Sequence, residues 1–312
     1  MFELVSTRHN PMIDPGLHVW SWEIPLYLFL GGFVAGIMVL SGMAFIRGRH
    51  ERRSSVYSDL PLIGLVLLSL GMLALFMDLE HKLYVWRLYV TFQLSSPMSW
   101  GAWILLLVYP VLLAGVLLSP PVPALWFAPG LAKVSDQWKA DRSKVRWIGL
   151  ASVASGIALG VYTGILLSSL GARPLWSSAL LGPLFLVSGL SASAAFGHMM
   201  ARDRKESEGL AKADNGFLIA ELALIGLFLI GLLSANEAQA QAAGLLLGGP
   251  YTAVFWALVV GGGILAPLVI QSLAVTHRIA HTRVAPVLVM LGGLALRFVI
   301  VYAGQTSHWP RG

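Results

Sequence analysis

The sequence predicts an all-α integral membrane protein with eight transmembrane helices. Of its 312 residues, 57% are hydrophobic and 12% are charged, and the mean hydropathy is +0.75. A soluble globular domain has about twice that share of charged residues. Apolar runs recur along the chain, each long enough as a helix to cross a hydrocarbon core of about 30 Å. They cover residues 22–46, 60–79, 99–119, 147–170, 177–200, 215–236, 251–274 and 285–304.

The first run is expected to remain in the protein as a helix, because no basic segment precedes it and no cleavage site of small residues follows. The longest connection, 120–146, opens with several prolines and continues with a charged stretch. This composition predicts a structured link between the third and fourth spans rather than a separate soluble domain. Residues 1–312 are therefore expected to form a single polytopic membrane domain.

Positively charged residues predict the orientation of the protein. Fifteen of the 21 Lys and Arg residues lie in the loops after the first, third, fifth and seventh spans, and five lie on the opposite side. Cytoplasmic loops of membrane proteins carry an excess of such residues. Both termini are therefore expected to face away from the cytoplasm. In a polytopic membrane protein the formal charge of +6 matters through the side that each charge occupies, and no nucleic-acid partner is expected.

Composition limits the redox groups that the protein itself can hold. It has no cysteine, which excludes iron–sulfur clusters and thioether-bound haem ligated by this chain. None of its eight histidines lies in the middle of a span, so b-type haem is not expected either. His277 and His281 are four residues apart in a short inner loop without a supporting carboxylate motif. They are expected to be a solvated pair, and no metal site is predicted.

Ionisable side chains within membrane spans are costly and mark candidate sites. The stretch "WSWEIPLYLFLGGFVAG" carries Glu23 at the outer end of the first span and Tyr27 four residues later on the same helical face. Asp78 ends the second span, and Tyr162 and Arg297 lie in the outer halves of the fourth and eighth. These five residues are predicted to line a cavity in the outer leaflet.

Each of these residues also has a purely structural interpretation. Glu23 is a helix-end carboxylate of the kind that the helix dipole favours, and Asp78 is placed to pair with Lys82 one turn later. Tyr162 has small neighbours and is suited to ordinary helix packing. Arg297 is suited to a structural ion pair with Asp78 or Glu23.

Two features of the inner side and the seventh span support an alternative function. Glu221 in the sixth span and Gln271 in the seventh suggest a proton route from the cytoplasm, although a protonated or hydrogen-bonded glutamate fits the pattern equally well. The segment "GGGILAP", residues 261–267, predicts a break in the seventh span. With Arg297, these features make a secondary transporter or proton-conducting protein the alternative. A membrane anchor without redox chemistry is a third interpretation.

Tryptophans are concentrated on one side. Eight of the 11 fall on or near the outer side, whereas interfacial belts populate both faces of a membrane. The excess predicts a docking surface or a pocket for a flat ring outside, with an ordinary belt as the alternative.

Four stretches in this order are similar to a known family: "WEIPLYLFLGGFVAG", "SPMSWGAW", "YTGILLSSLGARPLW" and "LRFVIVYAGQ". They resemble the NrfD-like membrane subunits of polysulfide reductase and related respiratory complexes over nearly the whole chain, and "SPMSWGAW", residues 96–103, is the most specific. The resemblance implies two four-helix bundles without haem in a bacterial inner membrane. It also implies a site for menaquinone or ubiquinone near the outer face.

The resemblance further implies partners and roles. A periplasmic ferredoxin-like iron–sulfur subunit would exchange electrons with the quinone, and a molybdopterin enzyme or multihaem cytochrome would complete the complex. The polar pair of the family's first helix falls on Glu23 and Tyr27, and its quinone-contacting tyrosine falls on Tyr162. Glu23 then suits the role of proton acceptor, with Asp78 as a relay, whereas the chain alone is not expected to be catalytic.

Overall fold

The computed structural model describes residues 20–48, 55–79, 81–120, 130–169, 171, 173–276 and 282–308. Within these ranges, eight helices are long and apolar enough to cross a membrane, which confirms the predicted all-helical class and number of spans. The predicted surface pair of His277 and His281 and the outer Trp309 lie outside the described residues.

The helices alternate between long spans and short connecting segments. In sequence order they are α1 (Glu23–Ile46), α2 (Leu60–Asp78), α3 (Arg87–Val90), α4 (Pro97–Leu118), α5 (Gly130–Ala140), α6 (Arg142–Ser168), α7 (Leu181–Met200), α8 (Arg204–Ala235), α9 (Glu237–Leu247), α10 (Val254–Val275) and α11 (Val284–Thr306). The short segments are α3, α5 and α9, and the other eight are the spans.

Two spans begin earlier than the hydropathy pattern predicts, because aspartates cap their polar first turns. The side chain of Asp141 accepts hydrogen bonds from the backbone N–H groups of Ser143 and Lys144, at 3.0 and 3.3 Å, where α6 starts. Asp203 accepts one from the N–H of Lys205, at 3.2 Å, where α8 starts. Such caps satisfy N–H groups that lack helical partners, so the helix extends beyond its apolar run.

The predicted break in the seventh span is wrong. The helix α10 is continuous, with π-helical turns over Val254–Leu265 followed by α-helix over Ala266–Val275. A β-carbon on Gly263 would come within 2.5 Å of the Cα of Gly292 on α11. Gly263 therefore allows two helix backbones to approach closely, which explains its presence without an interruption.

The first helix is the most deeply buried span and packs against α2, α6, α7 and α11. Its contact with α7 is a backbone contact, because a β-carbon on Gly189 would overlap the carbonyl oxygen of Gly32. A cross-helix hydrogen bond accompanies it: the Ser193 hydroxyl donates to the carbonyl of Phe33 at 2.6 Å. Small residues and hydroxyl groups are the usual means of joining helices in lipid.

The contact between α1 and α6 uses the same means. A β-carbon on Gly156 would lie 2.7 Å from the carbonyl oxygen of Ala35. The Ser152 hydroxyl donates to the carbonyl of Met38 at 2.8 Å. Close approach on two sides fixes the depth and rotation of α1 in the molecule.

The spans contact one another in two rings. In the first half of the sequence α1 contacts α2, α2 contacts α4, α4 contacts α6, and α6 contacts α1. In the second half α7 contacts α8, α8 contacts α10, α10 contacts α11, and α11 contacts α7. Contacts of α1 with α7 and α11 join the rings.

Aromatic and amide contacts join the N-terminal end of α1 to the C-terminal end of α11. The Gln305 side chain accepts a hydrogen bond from the N–H of Trp20 at 3.0 Å and donates one to its carbonyl at 2.9 Å. Trp20 stacks on Trp176, with ring centroids 5.3 Å apart, and the Trp176 indole donates to the carbonyl of Ile300 at 2.8 Å. Gly304 leaves room for that indole. Trp176 ends the family-like stretch "YTGILLSSLGARPLW", and Gln305 ends "LRFVIVYAGQ". These two stretches thus have a structural function here.

Candidate functional site

A cavity of about 420 Å³ lies between α1, α2, α3, α4 and α6, at the end of the bundle where α1 begins and α2 ends. Its volume is within the ~300–1,000 Å³ range of small-molecule pockets. Most of its wall is apolar. The apolar wall includes Met72, Phe76, Leu88, Met98, Leu105 and Leu166.

Three phenol groups and one serine hydroxyl interrupt the apolar wall: Tyr27, Tyr89, Tyr162 and Ser69. Tyr27 and Tyr162 are 4% and 5% exposed, and Tyr27 is close enough to both other phenols for electrostatic interaction. The structure thus brings together the two tyrosines that the sequence analysis singled out. It adds Tyr89. The sequence analysis missed this residue because it lies in the aromatic-rich connection between the second and third spans rather than in an apolar run.

Tyr89 belongs to the short helix α3, outside the spans. Burial raises the pKa of its phenol above the ordinary value, with a smaller contribution from Tyr109. A phenol with a raised pKa stays protonated at physiological pH, so Tyr89 is available as a neutral hydrogen-bond donor.

Gly101 explains how Tyr162 reaches the cavity. The Tyr162 ring on α6 lies directly against Gly101 on α4, where a β-carbon would overlap the phenol hydroxyl and ring. Gly101 belongs to "SPMSWGAW", the most specific of the family-like stretches. Its missing side chain therefore makes the space that positions the buried tyrosine.

The same stretch closes the loop between α3 and α4. The Ser99 hydroxyl accepts from the N–H of Gln93 at 3.0 Å and donates to the carbonyl of Thr91 at 3.2 Å. The Trp100 indole donates to the carbonyl of Leu94 at 2.8 Å. These bonds satisfy backbone groups of the connection next to the cavity, where few other partners are available.

Glu23 and Asp78, which were predicted to line the cavity, are not among its lining residues but lie next to residues that are, at the end where α1 begins and α2 ends. Glu23 lies one turn before Tyr27, and Asp78 lies between Phe76 and Leu79, which line the cavity. The two carboxylates are close enough to interact electrostatically. The Oε2 atom of Glu23 is shielded from solvent and accepts no hydrogen bond among the described residues. A shielded carboxylate oxygen without a donor is unusual and leaves an acceptor available to a ligand.

Arg297 is not among the residues that line this cavity. Its fully buried guanidinium donates to the Ser188 hydroxyl, to the carbonyl of Gly293 at 3.1 Å and to the carbonyl of Phe185 at 2.8 Å. It also lies over the Phe185 ring, 4.7 Å from the centroid. The acidic residue within electrostatic range is Glu221 rather than the predicted Asp78 or Glu23. The quinone-binding role of Arg297 stays a prediction.

Glu221 belongs to a group of buried polar side chains between α7, α8, α10 and α11. It interacts electrostatically with Arg297 and with Asp214, which lies two helical turns away on α8. Asp214 accepts hydrogen bonds from the Ser191 hydroxyl at 2.6 Å and from the Gln271 amide at 2.7 Å. We call Arg297, Glu221, Asp214, Ser191 and Gln271 the polar column. Asp214 was missed in the sequence because it immediately precedes the apolar run 215–236.

Comparison with known proteins gives this arrangement a context. A family model described as "Polysulphide reductase, NrfD" matches residues 7–308. A polysulfide reductase polypeptide of Wolinella succinogenes is 30% identical over 311 residues, which cover 92% of this chain and 95% of that protein. The NrfD homologue of Haemophilus influenzae is 31% identical, with coverages of 95% and 97%. A tetrathionate reductase subunit of Salmonella typhimurium is 27% identical, with coverages of 88% and 75%.

The contact between Gly101 and Tyr162 is testable by a double-mutant cycle. Gly101→Ala is expected to lower the free energy of unfolding by about 1–3 kcal/mol, because the new methyl group displaces a packed ring. Combined with Tyr162→Leu, the same change is expected to cost less than it does alone. Thermal melting of the purified protein in detergent measures both effects. Gly216→Ala, at a position with open space, is the matched control. Additive losses in the cycle would contradict the contact.

Proposed function

We propose that this chain, which belongs to the polysulphide reductase, NrfD, family, is the quinone-reactive membrane subunit of a respiratory oxidoreductase complex. The observation that carries the proposal is the mostly apolar cavity in which the Tyr27 and Tyr162 phenols meet, with Glu23 and Asp78 near its mouth. The names of relatives support the setting, because polysulfide reductase and tetrathionate reductase are multi-subunit enzymes and one polypeptide of each is similar to this one.

The groups at the cavity match the chemistry of a quinone. Oxidation of a quinol gives a quinone, two electrons and two protons, so a site needs donors for the ring oxygens and a proton acceptor near water. Tyr162 and Tyr27 are placed to hydrogen-bond ring oxygens, and the apolar wall suits the ring and isoprenoid tail of menaquinone or ubiquinone. Glu23 takes up protons and Asp78 passes them to water. In the opposite direction the same groups supply the protons.

The electrons leave through a partner, because this chain has no cysteine to ligate a cluster. Apolar side chains next to the cavity are strongly exposed: Leu83 is 88%, Leu94 72% and Val90 70% exposed. The aromatic residues Trp86 and Trp103 are exposed beside them. We assign this surface to the docking of the periplasmic iron–sulfur subunit, which connects to a molybdopterin or multihaem catalytic subunit.

The proposal includes an orientation. The bias of Lys and Arg supports an orientation with both termini on the periplasmic side of a bacterial inner membrane. The cavity then lies in the periplasmic leaflet. The two rings of helix contacts correspond in this proposal to the two four-helix bundles of the family.

Tyr162→Phe tests the contact with the quinone. Loss of one hydrogen bond is expected to weaken quinone binding by about two- to twelvefold. The measurement is the affinity of the purified complex for a quinone-site inhibitor or a short-chain quinol. Tyr251→Phe removes a phenol hydroxyl outside the cavity lining and is the control. Equal affinities of the Tyr162 variant and the wild type would rule out the contact.

Glu23→Gln tests the proton acceptor. A glutamine fills the same space but takes up no proton, so kcat for quinol oxidation is expected to fall by at least about tenfold while the subunits still copurify. Steady-state turnover of the assembled complex measures the effect. Glu237→Gln, at an exposed glutamate at the start of α9, is the control. Undiminished turnover would remove Glu23 from the mechanism.

The polar column favours a second function, proton conduction coupled to turnover. Glu221→Gln is expected to lower the number of protons moved per electron in liposomes that contain the whole complex, because the column loses its central titratable group. Uncoupled turnover is expected to persist. Glu208→Gln, on the polar first turns of α8, is the control. An unchanged ratio would leave Glu221 with a structural role, and substrate flux through the chain alone would favour the transporter interpretation.

A further inference from the structure

A second cavity, of about 330 Å³, lies at the opposite end of the first ring of helices, between the end of α1 and the segments α5 and α6. Its composition differs from that of the cavity lined by Tyr27 and Tyr162. The wall combines basic side chains with an apolar floor, and the residues that matter are Arg47, Lys139, Arg142, Arg146, Phe45 and Val145. We call it the basic cavity.

The four cations of the basic cavity have no acidic partner among the described residues. None of the described residues that line the cavity is a carboxylate. The neighbouring Asp141 is already engaged, since its side chain caps α6 and lies 3.6 Å from the ammonium group of Lys144. Four positive charges without an ion pair among the described residues, in one concave site, attract an anion. The two arginines of the first turns of α6 are suited to bidentate contact with phosphate oxygens.

The depth of the basic cavity places it at a membrane surface. The span α1 ends at Ile46, which is 38% exposed, and Trp147 projects from the second turn of α6 with 69% exposure. Tryptophans of this kind mark the headgroup level of a bilayer. Phe45 and Val145 are buried in one cluster with Leu118. The cavity therefore has a charged mouth at headgroup level above an apolar floor.

We propose that the basic cavity binds the headgroup phosphate of an anionic phospholipid from the leaflet on this side, the cytoplasmic leaflet by the charge bias. The arginines hold the phosphate, and the glycerol and upper acyl carbons lie toward Phe45 and Val145. Bilayer lipid is the source because the floor is apolar and the mouth opens at the membrane surface, whereas a free phosphate ion would use only the charges. Basic pockets between helices on the cytoplasmic side commonly bind such lipids.

The test is native mass spectrometry of the purified full-length protein in detergent, titrated with phosphatidylglycerol, phosphatidylcholine or inorganic phosphate. The wild type is expected to bind phosphatidylglycerol at least about tenfold more tightly than phosphatidylcholine. Arg142→Gln with Arg146→Gln is expected to weaken phosphatidylglycerol binding by about 30-fold, since each cation near the surface contributes about fivefold. The double lysine variant at the same positions keeps the charge and is expected to restore most of the binding.

Lys144→Gln is the matched control, because it removes a charge from the same turn of α6 but outside the cavity lining. It is expected to change the affinity by less than about twofold. Equal binding of the two lipids, or equal losses in the control and the double variant, would overturn the site. Inorganic phosphate that competes as tightly as phosphatidylglycerol would overturn the lipid assignment. Melting temperatures show that each variant is folded.

Discussion

The close approach of α1 to α6 and α7 is the contact on which the rest of the structure depends. In lipid, apolar side chains gain little by leaving the acyl chains, so helices associate through tight packing and hydrogen bonds. Here Gly189 and Gly156 let neighbouring backbones touch α1, and serine hydroxyls on the same two helices donate to its carbonyls. With its depth and rotation fixed on two sides, α1 presents Tyr27 toward α2 and α4. A rotation of α1 by one residue would turn that phenol away from the cavity.

The cavity lined by Tyr27 and Tyr162 arises because Gly101 accommodates the large side chain of Tyr162, while the surrounding helices contribute flexible apolar residues. Gly101 receives the Tyr162 ring, and the neighbouring Ser99 and Trp100 use their polar atoms to close the adjacent loop. A single eight-residue stretch thus positions a phenol and satisfies the backbone beside it. This double requirement gives a physical reason for the specificity of the stretch. Gly101 lines the cavity itself, whereas Ser99 and Trp100 act on the adjacent loop.

The sequence predicts the spans well because hydropathy depends on composition within one helix, and it predicts the meeting of Tyr27 and Tyr162 through family-like motifs. It fails where the outcome depends on a partner helix. Arg297 does not line the cavity because its long side chain reaches the carbonyl oxygen of Phe185 on α7 and lies within electrostatic range of Glu221 on α8. The glycines of residues 261–267 look like a break in sequence, whereas the helix is continuous and one of them, Gly263, packs against Gly292 on α11. Tyr89 was not predicted because the sequence does not indicate that α3 lines the cavity.

One residue of the polar column, Arg297, contacts α1, and α1 also lines the cavity in which Tyr27 and Tyr162 meet. The Arg297 guanidinium lies beside Gly32, where a β-carbon would come within 3.2 Å of its Nη2 atom. Gly32 follows Tyr27 by about a turn and a half of the same helix. The charge on Glu221 determines how strongly Arg297 is attracted to α8, and a buried arginine tolerates the loss of an acidic neighbour poorly. Arg297 therefore connects Glu221 to the helix that carries both Tyr27 and Glu23.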